Sequence, residues 1–347
     1  METDGPGPGD PDGGTCNGEA RGFPADADLT RRKSMKGLEL SRAYYEAYGA
    51  PMIHEQFPEY EEIIAAALTG SGSECYGYDD EISRDHDFEP GFCLFLPGEE
   101  IVDRRTAFQL ERAYAKLPRS FQGVERQKLS PVGGARHGVF RLEEWFREKL
   151  GVLPEEMSLR DWLRLPSWAL AETVNGAVFR DDAGLLTDAR NVLLAMPEDI
   201  RRKRLAGSLL LMAQSGQYNY RRCLAHGETG AAQLAAAEFT RHTMSAVFWL
   251  NRAYQPYYKW SFRALRELPG GEDLARSLEW LLSTGNEPAQ AEEKTFAMEG
   301  IASEIIDQLQ DQGLTEAVCG DLEKHAYSVN DGIRDAEIRN LHILTAE

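Results

Sequence analysis

The chain has 347 residues, 42% hydrophobic and 10% aromatic, enough to bury a sizeable core in one large domain or two ordinary ones. Its formal net charge of −19 argues against gripping a nucleic-acid backbone as the main task, because phosphate contacts are made by Lys and Arg. No run approaches 18 consecutive apolar residues and no apolar signal core opens the chain, so a cytoplasmic protein without a membrane partner is expected.

Residues 1–33 are dominated by Gly, Pro and Asp and offer almost nothing to bury; a disordered tail is expected there. Structure is expected from Ser34 onward. Leu38, Leu40, Tyr44 and Tyr45 have helical spacing, closed by Gly49 and Pro51. A short helix over PEYEEIIAAAL leads into a strand near Ala65–Thr69. After an irregular stretch, RRTAFQLERAYAKLP is an amphipathic helix stopped by Pro118. SFQGVERQKLSPVGGARHG reads as a loop or irregular strand pair, GVFRL as a strand, and EEWFREKLG as a helix with a glycine cap.

Beyond Gly151 the pattern turns helical. LRDWLRLPSWALAETVNGAVF reads as short helices with turns. One long helix is expected from Pro197 to Gly227 and another over about Thr229 to Tyr254, followed by several more. The expected fold is α+β, with a small mixed-sheet domain over 34–150 and an all-helical domain over 151–347.

The chemistry concentrates in ALTGSGSECYGYDDEISRDHDFEPGFCLFLP, residues 67–97. Gly70-Ser71-Gly72-Ser73 is a turn whose backbone N–H groups and hydroxyls suit a phosphate. Asp85 and Asp87, one residue apart, would share a face of an extended segment; their mutual repulsion is best offset by a hard divalent cation such as Mg²⁺. A Gly-Ser turn alone is most often only a turn, and an Asp-x-Asp alone is common on surfaces. The five cysteines (Cys16, Cys75, Cys93, Cys223 and Cys319) contain no CxxC, and the seven histidines lack HExxH spacing, so neither set forms a recognisable zinc site.

Order and spacing of turn and acids resemble the polymerase-beta-like nucleotidyltransferase superfamily: Thr69-Gly70-Ser71, a gap over 72–84, then Asp85-His86-Asp87-Phe88. Thr69 and His86 stand where that pattern usually carries apolar residues. The segments DWLRLPSWALAETVNGAVFRDDAGLLTDAR, MAQSGQYNYRRCLAHG and LNRAYQPYYKW are similar to an uncharacterised, largely microbial branch of it, with a helical C-terminal domain, known mainly as a domain of unknown function. The likeness covers most of 36–345.

The resemblance implies transfer of a nucleoside monophosphate from an NTP, ATP by expectation, to an acceptor hydroxyl, amine or carboxyl. Asp85 and Asp87 would be catalytic and hold Mg²⁺. Gly70, Ser71 and Ser73 would cradle the phosphates, and Lys259, set among Tyr254, Tyr257, Tyr258 and Trp260, would meet the triphosphate from the helical side. The acidic surface favours a cationic small-molecule acceptor, and a homo-oligomer is compatible with the sequence.

Other residues have two readings. Gln214, Gln217, Tyr218 and Arg221 form a helical stripe that faces either the cleft or solvent, and Arg222 is a further phosphate candidate. Asp181 and Asp182 read as turn-formers or as acceptor contacts. Active superfamily members add a third carboxylate from a later strand; here that strand carries none at its centre, and Glu143 and Glu144 at its end read as the start of a helix. The alternative is therefore a catalytically weak nucleotide-binding or regulatory protein on the same fold.

Overall fold

The computed structural model describes residues 35–82, 88–126 and 136–346. The tail expected over 1–33 lies outside them, as do Asp85, His86 and Asp87. Residues 36–347 cluster as one compact unit. The fold is α+β, as expected: a four-stranded mixed sheet, a two-stranded hairpin and a large helical complement. Among the described residues no helix is long and apolar enough to cross a membrane.

The sheet has the order β5-β2-β1-β6. Strand β1 (Ala65–Leu68) lies antiparallel to β2 (Cys93–Leu96) on one side and to β6 (Ala177–Arg180) on the other, while β5 (Gly138–Arg141) runs parallel to β2. Both central strands are buried along their whole length, which suits the apolar runs AAAL and CLFL.

Alternation along these strands divides their side chains between two cores. Ala66, Leu94 and Leu96 join Tyr44, Tyr45, Met52, Ile53 and Leu110 from α1 (Gly37–Tyr44), α2 (Ala50–Gln56) and α3 (Arg104–Ala115), and from the π-turn that links the first two. Ala65, Ala67, Cys93 and Phe95 face the other way and join Trp145 and Phe146 of α4 (Leu142–Leu150) and the helices that follow. Residues before and after 150 thus share one core.

Strand β6 departs from the helical reading of LRDWLRLPSWALAETVNGAVF. That segment forms α5 (Leu159–Arg164), α6 (Ser167–Val174) and then β6. Gly176, at φ +72°, turns the chain out of α6, and a Cβ at this position would meet the Leu68 carbonyl oxygen at 1.8 Å. Only glycine permits this approach of β6 to β1. The strand is four residues long and owes its existence to pairing with a segment more than a hundred residues earlier, a contact that local periodicity does not encode.

Of the loop or irregular strand pair expected after α3, the described part forms the hairpin β3 (Ser120–Phe121) and β4 (Val124–Glu125). Downstream, α7 (Leu185–Leu194) leads to α8 (Glu198–Met212), which continues through a π-helical stretch, Ala213–Asn219, into α9 (Tyr220–Ala225). The expected long helix is therefore continuous but carries a widened middle. Helix α10 (Thr229–Leu250) packs along α8, with α11 (Tyr258–Arg266), α12 (Gly271–Ser283), α13 (Pro288–Asp311), α14 (Leu322–Asp331) and α15 (Ala336–Asn340) completing the helical region.

Candidate functional site

The Gly-Ser turn leaves the end of β1 and enters a single 3₁₀ turn, Ser73–Tyr76. Gly70 stands at φ +131°, a region glycine tolerates and other residues do not. It is held from across the fold. The Asn175 Oδ1 accepts the Gly70 N–H at 3.0 Å, and the Asn175 Nδ2 donates to the Gly70 carbonyl at 2.7 Å. The Thr69 hydroxyl donates to the Glu172 carbonyl at 3.0 Å, which ties the same turn to α6. Arg190, buried on α7, secures the clamp from behind by donating to the carbonyls of Thr173 and Asn175 at 3.0 and 2.8 Å. Burial pulls the pKa of Arg190 down to about 10, so it still carries its charge at neutral pH.

Gly70, Ser71 and Gly72 line a small pocket of about 60 Å³ with Thr69, Arg136 and Lys149. Its volume exceeds what one water needs. The lining is of mixed charge, for Glu74 and Glu148 also face it. Lys149 lies 3.5 Å from the Glu172 carboxylate, and His137, beside Arg136, meets Glu89 at 3.2 Å. Cys75 also lines the pocket, and burial raises its thiol pKa well above the ordinary value; burial likewise pushes Cys93 up to about 12. Neither sulfur is a thiolate nucleophile at neutral pH.

The second half of the loop is fastened to α11. The Tyr78 hydroxyl donates to Glu267 at 2.8 Å, Arg263 donates to the Tyr78 carbonyl and lies over its ring at 5.0 Å, and Trp260 packs 5.8 Å from the same ring. The next residue, Asp79, is buried; its carboxylate accepts the Gly37 N–H at 2.9 Å at the start of α1, and its carbonyl accepts from Lys36 Nζ.

Gly70 and Ser71 line one pocket, whereas Ser73 does not line it and instead opens the adjoining 3₁₀ turn. Lys259 does not line it. This side chain is exposed, its Nζ 4.9 Å above the Trp260 ring, and its helix reaches the loop through Trp260 and Arg263 instead. Asp85 and Asp87 fall outside the described residues, among which no group of three or more His, Cys, Asp or Glu is placed to hold a metal ion.

The remaining candidates are also located. Gln214, Gln217 and Tyr218 line a separate pocket with Gly320, Asp321 and Glu323, and Gln217 bonds to Glu299, the Gly320 carbonyl and the Leu322 N–H. Arg221 is exposed, and Arg222 stacks over Tyr218 at 5.0 Å. Asp181 accepts the Thr187 N–H in the first turn of α7, and Asp182 pairs with Arg180, so both serve the turn around Gly184. Glu143 and Glu144 occupy the first turn of α4, as expected. Reading motifs missed Asn175, Arg136 and Lys149. The Asn-Gly pair at 175–176 was the available signal, a turn dipeptide at the end of an apolar helix.

A family model described as a domain of unknown function, DUF4037, matches residues 162–261. The matched stretch runs from α5 into α11 and so includes Asn175, Gly176 and Lys259 but not the Gly-Ser turn. No curated protein and no solved structure matches the chain.

Proposed function

We propose that the Gly-Ser turn binds the phosphates of a nucleoside triphosphate, and that the protein is a Mg²⁺-dependent nucleotidyltransferase. The observation that carries this reading is the pocket in which Gly70 and Ser71 meet Arg136 and Lys149, with the turn held in a left-handed conformation by Asn175. With the Gly70 N–H held by Asn175 and the Thr69 hydroxyl by Glu172, the donors suited to phosphate oxygens are the backbone N–H groups that follow, the Ser71 hydroxyl and two cationic side chains.

The mixed lining of this pocket supports magnesium as the proposed counter-ion. Glu74 and Glu148 stand beside Arg136 and Lys149, and such mixed lining suits a metal-chelated phosphate better than a bare anion, whose charge the acids would repel. Asp85 and Asp87 are the residues assigned to hold the ion, which would supply charge neutralisation on the phosphate oxygens. The protein's own part is positioning. Arg136 and Lys149 neutralise the phosphates, and the clamped turn fixes their orientation while the acceptor oxygen or nitrogen attacks the α-phosphorus. A bond from acceptor to α-phosphorus forms, the bridging P–O bond to the β-phosphate breaks, and pyrophosphate leaves with that electron pair.

The acceptor is proposed to be a small molecule, cationic in keeping with the net charge of −19, and the enzyme to act in the cytoplasm. Calorimetry with ATP and Mg²⁺, followed by pyrophosphate release across pooled acceptors, tests the reading. Asp85→Ala is expected to abolish metal-dependent release while leaving the fold intact; persistence of turnover in that variant refutes the metal assignment. Tight ATP binding without pyrophosphate release in any acceptor pool favours the regulatory alternative.

A further inference from the structure

A further pocket, of about 530 Å³, opens on the helical region between α5, the Leu165–Pro166 link and the segment after α15. Its floor is apolar, formed by Leu163, Leu165 and Leu341 among others, and three arginines line it: Arg160, Arg164 and Arg204. Among the described residues no Asp or Glu does.

The arginines divide by role. Arg204 is buried and structural: it donates to the carbonyls of Trp162, Leu163, Leu165 and Ala346 and lies over the Trp249 ring at 5.3 Å. It closes the base of the pocket and fixes its shape. Arg160 and Arg164 are exposed, four residues apart on α5 and hence on one face of it. Among the described residues neither forms an ion pair. The acid between them, Asp161, is bonded to the Ser158 N–H and hydroxyl, where it closes a capping box, although the Arg164 charge reaches it through space. Among the described residues, two guanidinium forks therefore stand without an ion pair at the rim of an apolar basin.

We propose that this pocket binds a small organic anion, with an apolar body on the leucine floor and a carboxylate or phosphate head engaged by Arg160 and Arg164. Guanidinium matches both heads through paired N–H donors, and the volume lies within the range of small-molecule sites. The site is separate from the Gly-Ser pocket, with no lining residue in common, and the proposal does not depend on nucleotide chemistry.

The test is calorimetric titration of the full chain with octanoate, octyl phosphate, octanol and octylamine, each below its micellar concentration. Either or both anions are expected to bind, and their ratio identifies the preferred head; octanol and octylamine are expected to bind at least about tenfold more weakly. Arg160→Ala with Arg164→Ala, both at exposed positions, is expected to lower anion affinity by about tenfold or more without shifting the thermal midpoint. The proposal is overturned if neither anion binds, if octanol binds as tightly as octanoate, or if the double variant binds the anions like the parent chain.

Discussion

Asn175 holds Gly70 by both of its backbone polar groups, taking the N–H on Oδ1 and giving Nδ2–H to the carbonyl. The two residues are 105 apart in sequence, and this single amide joins the region matched by the family model to the turn proposed to bind phosphate. Asn175→Ala removes both partners from a part-buried backbone. A loss of about 2 kcal/mol in unfolding free energy is expected by urea titration, because groups left unsatisfied cost more than an average bond contributes. ATP affinity is expected to fall further than stability alone explains, since the turn would lose its fixed conformation. An affinity equal to that of the parent chain would separate the clamp from the phosphate site.

Gly176 and Gly70 make a contrasting pair. Both have positive φ, yet a Cβ on Gly176 would strike the Leu68 carbonyl oxygen, whereas one on Gly70 meets nothing within 4 Å. Gly176→Ala is expected to cost about 3 kcal/mol or more, because backbone cannot move aside without parting β6 from β1. Gly70→Ala carries only conformational strain, about 1 kcal/mol or somewhat above, and its main effect is expected on ATP binding. Parallel chemical denaturation of the two variants checks the order.

Tyr78 connects the loop after the turn to α11 through its bond to Glu267 and through Arg263. Tyr78→Phe keeps the ring contacts with Trp260 and Arg263 and deletes only the hydroxyl. A loss of about 1 kcal/mol is expected, since Glu267 is exposed and water takes the vacated place. Hydrogen exchange should show faster opening of residues 73–79 with the rest of the chain unchanged.

Acid stability should register Glu198 at the start of α8. Its burial acts to raise the carboxyl pKa, but Arg201 and Arg252 more than offset this and hold it below 4.5. A depressed folded pKa means a contribution fully present above 4.5 that disappears as pH falls through the folded value. Glu198→Gln is therefore expected to lower the urea midpoint at pH 7 and to flatten its decline as pH falls below 4.5. An unaltered slope would exclude this carboxylate as a source of the acid sensitivity.

Local pattern alone determined the helices with strong apolar periodicity, the strand near AAAL, the helix opening at Glu143–Glu144 and the Gly-Ser turn. Each rests on neighbours within a few residues: glycine relieves strain where it stands, and spacing sets which side chains share a face. Tertiary structure decided the rest. It made VNGAVF a turn and an edge strand because β1 offers a free edge, brought Asn175 onto Gly70, and set Arg136 and Lys149 beside the turn while directing Lys259 to solvent. These relationships join segments many tens of residues apart, and the energies that form them, backbone pairing and the burial of two sheet faces, depend on the whole assembly rather than on any window of the chain.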